Sequence, residues 1–201
     1  MTKRILVLAC GLLLSLCATA QLSIQAGYLH QDVNVKTPAH SITTPTWGLY
    51  AEADYTFRLP HNLGFSAGVF AYATTYVPLK YFSYYGTGSY GQEVIGVPLR
   101  LSYVLRLSDD WQISPCLGID LMYALSYKYL EDATPSTTNY LDPNVSEAVK
   151  AFTFMPVVGL CADWRHWRLQ LEYSPLSPNR ALHEGYSNSL STFKCGVGYK
   201  F

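Results

Sequence analysis

Five histidines and five cysteines are the residues of this chain best equipped for chemistry. His183-Glu184-Gly185-Tyr186-Ser187-Asn188 brings an imidazole, a carboxylate and a hydroxyl close together, and His40 adjoins Ser41. An imidazole beside a hydroxyl begins a nucleophile–base pair, provided a third group orients the ring. The spacings argue against it. No two histidines stand four apart, no Cys-x-x-Cys occurs, and no glycine-rich phosphate loop follows a strand. His30, His40 and His183 fall near long hydrophilic connections and His61 and His166 in short ones, where solvated histidines are ordinary. No catalytic residue, metal ligand or cofactor is expected, and the chain is not read as an enzyme.

Charged side chains are few. They make up 14% of the chain against roughly 25% in soluble domains, while seventeen tyrosines bring the aromatic share to 14%. A formal net charge of zero lacks the basic excess of a nucleic-acid binder. Disorder needs low hydrophobicity and high net charge, and neither is present. At the start, Lys3 and Arg4 precede an apolar run from Ile5 to Leu16, and Ala18-Thr19-Ala20 ends it with small residues. That pattern predicts a signal peptide over 1–20, leaving one domain over 21–201. A lipoprotein signal at Cys17 is disfavoured by Leu16 before it. No later segment approaches the ~18 apolar residues of a membrane helix.

The elements that must position these residues are strands. From Trp47 to Leu59 the odd positions read Trp, Leu, Ala, Ala, Tyr, Phe, Leu, opposite Glu52, Asp54 and Arg58. Ile95–Leu107 and Trp111–Tyr127 alternate in the same way, placing Arg100, Arg106, Asp120 and Lys128 on their polar faces. Leu22–Tyr28, Leu63–Val77, Phe152–Trp164, Trp167–Tyr173 and Leu190–Phe201 complete eight strands by the same period-two pattern. Short connections (60–62, 108–110, 165–166) alternate with long ones near 30–45, 78–92, 129–149 and 176–188. Short turns on one side and long loops on the other predict an eight-stranded antiparallel up-and-down transmembrane β-barrel. A soluble barrel with an apolar core gives the same parity. Trp111, Trp164, Trp167, Tyr199 and Phe201 beside the short turns decide for the lipid-facing arrangement, because they read as an interfacial girdle.

Three stretches carry a family resemblance. The C-terminal Phe201, with Val197 and Tyr199 alternating before it, resembles the insertion signal of Gram-negative outer-membrane barrels. Val94-Ile95-Gly96-Val97-Pro98-Leu99-Arg100-Leu101-Ser102-Tyr103 resembles the central strand of PorT-like outer-membrane barrel proteins, and Leu169-Gln170-Leu171-Glu172-Tyr173-Ser174-Pro175 is similar to their penultimate strand. The resemblance implies an OmpA-type barrel in the cell outer membrane, in contact with outer-membrane lipid and delivered to the barrel-assembly machinery through its last strand. It implies no activity. The lipid A 3-O-deacylases among such barrels carry His-x-Ser-Asn, a spacing that His183 and Ser187-Asn188 do not reproduce.

Four site expectations follow. Inward parity collects Glu52, Asp54, Arg58, Arg100, Asp120, Arg168, Glu172 and Lys194 into a lumen charge network that fills an eight-stranded interior. Glu52 and Asp54 are expected to meet Arg100, and Asp120 and Glu172 to meet Arg168; Arg106, Asp163 and Lys200 should reach water at the rim. Cys116 and Cys161 point inward and would stand opposite each other, within disulfide range, if the hairpin closes near Lys128 and Val149. The tyrosine-rich loop with Tyr81, Phe82, Tyr84, Tyr85 and Tyr90 is a candidate contact surface for an extracellular ligand. A monomer with a structural or interaction role is expected; a small-ligand channel or lipid-handling barrel is the alternative. Pro98, Pro115 and Pro156 sit awkwardly inside proposed strands.

Overall fold

The computed structural model describes residues 20–36, 41–75, 89–131, 134–139, 150–181 and 187–201. The alternating segments form strands β1 (Ala20–Lys36), β2 (Ser41–Arg58), β3 (Leu63–Thr75), β4 (Ser89–Tyr103), β5 (Leu105–Arg106), β6 (Trp111–Glu131), β7 (Thr134–Asn139), β8 (Phe152–Trp164), β9 (Trp167–Ser174) and β10 (Ser187–Lys200). β5 continues β4 beyond Val104, and β7 folds back on the upper part of β6. The remaining pairings run antiparallel from β4 through β3, β2, β1, β10, β9 and β8 to β6, and β6 pairs back to β4. The ring is closed and has eight staves. Each of the eight staves has a hydrogen-bonded neighbour on both sides, as a chain that crosses lipid requires.

At the short-turn end, Leu59 N–H donates to Leu63 O at 2.8 Å, while His61 and Asn62 adopt φ of 62° and 61°. This left-handed pair matches the twist of the flanking strands. Arg165, at φ 54°, makes the same kind of reversal between β8 and β9. It fixes Trp164 opposite Trp167 and thereby the register of that hairpin.

All three awkward prolines sit where one neighbouring ladder is interrupted. Pairing of β3 with β4 skips from Ala67↔Leu99 to Phe70↔Gly96, leaving Pro98 with no strand partner on that side. Pro115 faces the break at Val104, where β4 gives way to β5. Pro156 lies above the last β8–β9 pair, Val158↔Tyr173. A missing N–H costs nothing where the ladder has no acceptor to offer.

The outer face carries Leu49, Val69, Leu117 and Val158, each more than half exposed. Aromatic rings bound this belt at both ends. At the short turns Trp111 stacks on Trp164 (6.0 Å between centroids), and Trp167 meets Tyr199 edge-on at 5.7 Å. Toward the long loops Tyr28 packs on Trp47 at 5.4 Å. Trp47 to Phe57 is ten strand steps; at about 3.4 Å each and a tilt near 40°, they span roughly 26 Å along the axis. That is the height of an outer-membrane apolar band.

Strands β1, β2, β4 and β6 run farther toward the long loops than period-two hydrophobicity extends. In the upper lumen the inward face turns apolar. Leu29, Val33, Tyr50, Phe70, Tyr72, Val94, Met122, Met155 and Leu190 turn inward to form a buried cluster. Asp32 and Glu93 stand on the outer side. The expectation of a purely polar lumen is therefore corrected: its upper part is an apolar core that begins beside the lipid-facing Leu49 and Val69 and continues to Val33 and Leu190.

Candidate functional site

The lumen is the site, and its lower half is charged. Inward positions on six strands supply the groups, and glycines on the same face leave room for them. A Cβ at Gly118 would stand 2.9 Å from the Arg100 side chain, and one at Gly196 would run into the Tyr50 hydroxyl.

One cluster sits at mid-barrel. Arg100 donates from Nε to Glu172 Oε1 at 2.7 Å and from Nη2 to Glu172 Oε2 at 2.9 Å and Asp120 Oδ1 at 2.5 Å. Lys194 Nζ reaches Asp120 Oδ2 at 2.7 Å and Glu172 Oε2 at 3.3 Å. These four side chains are at most 5% exposed. Two cations and two carboxylates close a neutral ring across the lumen. Lys194 also lies 4.7 Å from the Phe70 ring centroid, where the charged layer meets the apolar one.

A second cluster sits nearer the short turns. Arg168 donates to both Asp163 oxygens, at 2.8 and 3.3 Å, and to Ser23 Oγ at 3.3 Å, with Asp54 at 3.8 Å. Lys200 Nζ completes it at 2.8 Å from Asp163 Oδ2. It too balances two cations against two carboxylates. Between the clusters Glu52 accepts a hydrogen bond from Gln25 Nε2 at 3.0 Å and enters no ion pair among the described residues.

The proposed partners are thus exchanged: Arg100 holds Asp120 and Glu172, whereas Arg168 holds Asp163 and Asp54. The cause is stagger. Glu172 on β9 and Asp120 on β6 lie at the level of Arg100, while Arg168 sits beside the β8–β9 turn opposite Asp163. Asp163 and Lys200, expected to reach water, are buried at 3% and 4% exposure. Arg58 and Arg106 are exposed at the rim, and the side chain of Lys128 lies outside the described residues. Parity alone could have found Asp163 and Lys200; their nearness to a turn concealed them.

Above the charged layer an amide and hydroxyl network links Gln31, Tyr72, Gln92 and Thr192. Gln92 Nε2 donates to Gln31 Oε1 at 2.6 Å and to Tyr72 Oη at 2.8 Å, and Gln31 Nε2 donates to Thr192 Oγ1 at 3.0 Å. Arg180, from the segment after β9, enters the mouth at 2% exposure and donates to Gln92 Oε1 at 3.3 Å. No strand period covers Arg180, so no sequence pattern could have placed it.

Cys116 and Cys161 face the lumen as free thiols, which corrects the directly opposed pair. The short β8–β9 turn and the diversion of upper β6 into pairing with β7 set the register: Cys116 opposes Gly159, and Ser114 opposes Cys161. Cys195 lies on the outer side of β10 with Val197, Tyr199 and Phe201. Phe201 N–H donates to Leu22 O at 2.9 Å, and its ring meets Tyr199 at 5.0 Å. Of the histidines, His166 Nδ1 lies 3.0 Å from Lys200 O and His30 lies 3.3 Å from Asp32. Residues 1–19, Tyr81, Phe82, Tyr84, Tyr85, His40 and His183 lie outside the described residues, as does the side chain of Tyr90.

A closed eight-stave barrel with an apolar outer belt, two aromatic girdles and short turns at one end defines a small outer-membrane β-barrel protein. Residues 7–141 match the autotransporter beta-domain family, and the chain belongs to that family. It resides in the cell outer membrane, its short turns toward the periplasm. No curated protein matches the chain in sequence. Similar solved structures include the attachment invasion locus protein of Yersinia pestis in complex with the heparin analogue sucrose octasulfate, at 12% identity and TM-score 0.47, covering 90% of this chain and 99% of that one. Neisserial surface protein A has 12% identity and TM-score 0.49 over 90% and 99% of the two chains. Outer membrane protein OprG from Pseudomonas aeruginosa has 12% identity and TM-score 0.43 over 91% and 96%.

Proposed function

We propose that this protein is a sealed, non-enzymatic outer-membrane barrel of the PorT-like kind, with a structural or interaction role exercised through its loops and rims. The observation that carries this reading is the neutral ring of Arg100, Asp120, Glu172 and Lys194 across the lumen. Below it the remaining cavity measures about 50 Å³, room for a few waters. Opening a path would strip two cations from two carboxylates in a water-poor interior, which costs several kcal/mol. The loop bearing Tyr81, Phe82, Tyr84, Tyr85 and Tyr90 is the proposed contact surface, the barrel works as a monomer, and its C-terminal strand engages the assembly machinery. The test is planar-bilayer recording of the purified protein: no steady conductance is expected, and sustained large channels from the wild type would replace this reading with transport.

A further inference from the structure

The lower lumen holds a feature that the sealed-barrel reading leaves unused. Cys116 on β6 and Cys161 on β8 are diagonal neighbours on paired strands, and both line the wall of the 50 Å³ cavity. The lining of the cavity extends to the exposed Arg58 beside the short turns, the side from which a small ion would enter. Gly159, directly opposite Cys116, leaves room beside that thiol: a Cβ there would stand 3.0 Å from Cys116 Sγ.

Register decides what such a pair can hold. Diagonal neighbours on paired strands lie about 7–8 Å apart at Cα. A relaxed disulfide spans at most about 6.8 Å, so this pair is placed beyond its comfortable reach. A metal inserted between two sulfurs lengthens the bridge by a second bond of roughly 2.3 Å and suits the wider spacing. Ligand count then selects the metal. Zinc takes four ligands in a structural site and three protein ligands in a catalytic one. Among the described residues no group of three or more His, Cys, Asp or Glu could hold a metal ion. Soft thiolates select copper(I), which is content with two sulfurs in line. Arg100, Arg168 and Glu172 line the same cavity as the pair.

We propose that Cys116 and Cys161 form a two-coordinate copper(I) site open to the periplasm. Both thiols lose their protons to the cavity water as two copper–sulfur bonds form, giving a bis-thiolate complex of charge −1; no electron is transferred.

The experiment titrates the full barrel, refolded in detergent, with copper(I) under ascorbate against a chromophoric copper(I) chelator. A single copper(I) per chain is expected in the wild type and in Cys195→Ser, whose thiol faces outward. Binding should be lost in Cys116→Ser and Cys161→Ser, with heat-dependent gel mobility confirming that each variant is folded. Copper-edge X-ray absorption of the wild type provides a readout that needs no variant, and two sulfur neighbours without nitrogen or oxygen are expected. Undiminished binding in the folded Cys116→Ser/Cys161→Ser double variant would overturn the proposal. So would no binding above the detergent blank, oxygen or nitrogen ligands at the copper edge, or wild-type protein isolated with Cys116 and Cys161 already joined.

Discussion

Replacing Arg100 by Met tests whether the mid-barrel ring is a true buried network. The substitution keeps an apolar stem of similar length and removes the guanidinium that holds Glu172 at 2.7 and 2.9 Å and Asp120 at 2.5 Å. Lys194 then faces Asp120 and Glu172 alone, and the ring passes from neutral to a charge of −1 beside Glu52. Breaking one partner out of a buried charge cluster costs about 3–5 kcal/mol, because the stranded charge cannot be rehydrated. With a urea dependence of about 2 kcal/mol per molar, the unfolding midpoint should fall by roughly 2 M. The assay is urea unfolding of the refolded barrel in lipid vesicles, followed by tryptophan fluorescence and heat-dependent gel mobility. Adding Glu172→Gln should restore part of the loss, since Lys194 and Asp120 remain as a neutral pair. As a control, Asp110→Asn removes the Arg165–Asp110 contact at 3.2 Å, whose side chains are 62% and 50% exposed. Exposed pairs of this kind are worth about 0–1 kcal/mol. A loss below about 1 kcal/mol for Arg100→Met, or a double variant no better than the single one, would refute the buried-ring argument and imply that water screens the lumen.

Two further outcomes follow from the same geometry. Val158→Arg, on the outer face at 55% exposure, should destabilise the barrel in bilayers by about 2–4 kcal/mol, whereas Leu107→Arg beside a short turn should cost about 0–1 kcal/mol; equal costs in matched urea titrations would place the lipid belt elsewhere. Gly196→Val would drive a side chain into the Tyr50 hydroxyl and to within about 2.9 Å of Ala26 O, so refolding yield on a heat-shifted gel should collapse; a yield close to wild type would mean that the lumen has room there.

Period two, turn chemistry and aromatic placement made the barrel legible from residue types alone. β8 spans Phe152–Trp164 as the alternation predicts, and Trp47–Leu59 differs from its lower boundary in β2 by a single residue. These features are local: a strand facing lipid on one side must alternate whatever its neighbours are. Parity likewise assigned Arg100, Asp120, Arg168, Glu172 and Lys194 to the lumen. The identity of each charged partner was decided only by the closed ring. It depends on strand stagger, and that is set jointly by the short turns, by the β7 hairpin on β6 and by the bulge between Glu93 and Val94. The same stagger moved Cys161 two residues from its expected place opposite Cys116. Arg180 belongs to an irregular segment whose course is steered by Arg180 N–H to Asn188 O at 2.8 Å, a contact no periodicity encodes. The apolar upper lumen needed the tertiary structure for a different reason: Leu29 and Val33 keep the inward parity of Ser23 and Gln25, and only the closed ring brings them together with Tyr50, Phe70 and Met122 into one buried cluster that leaves water.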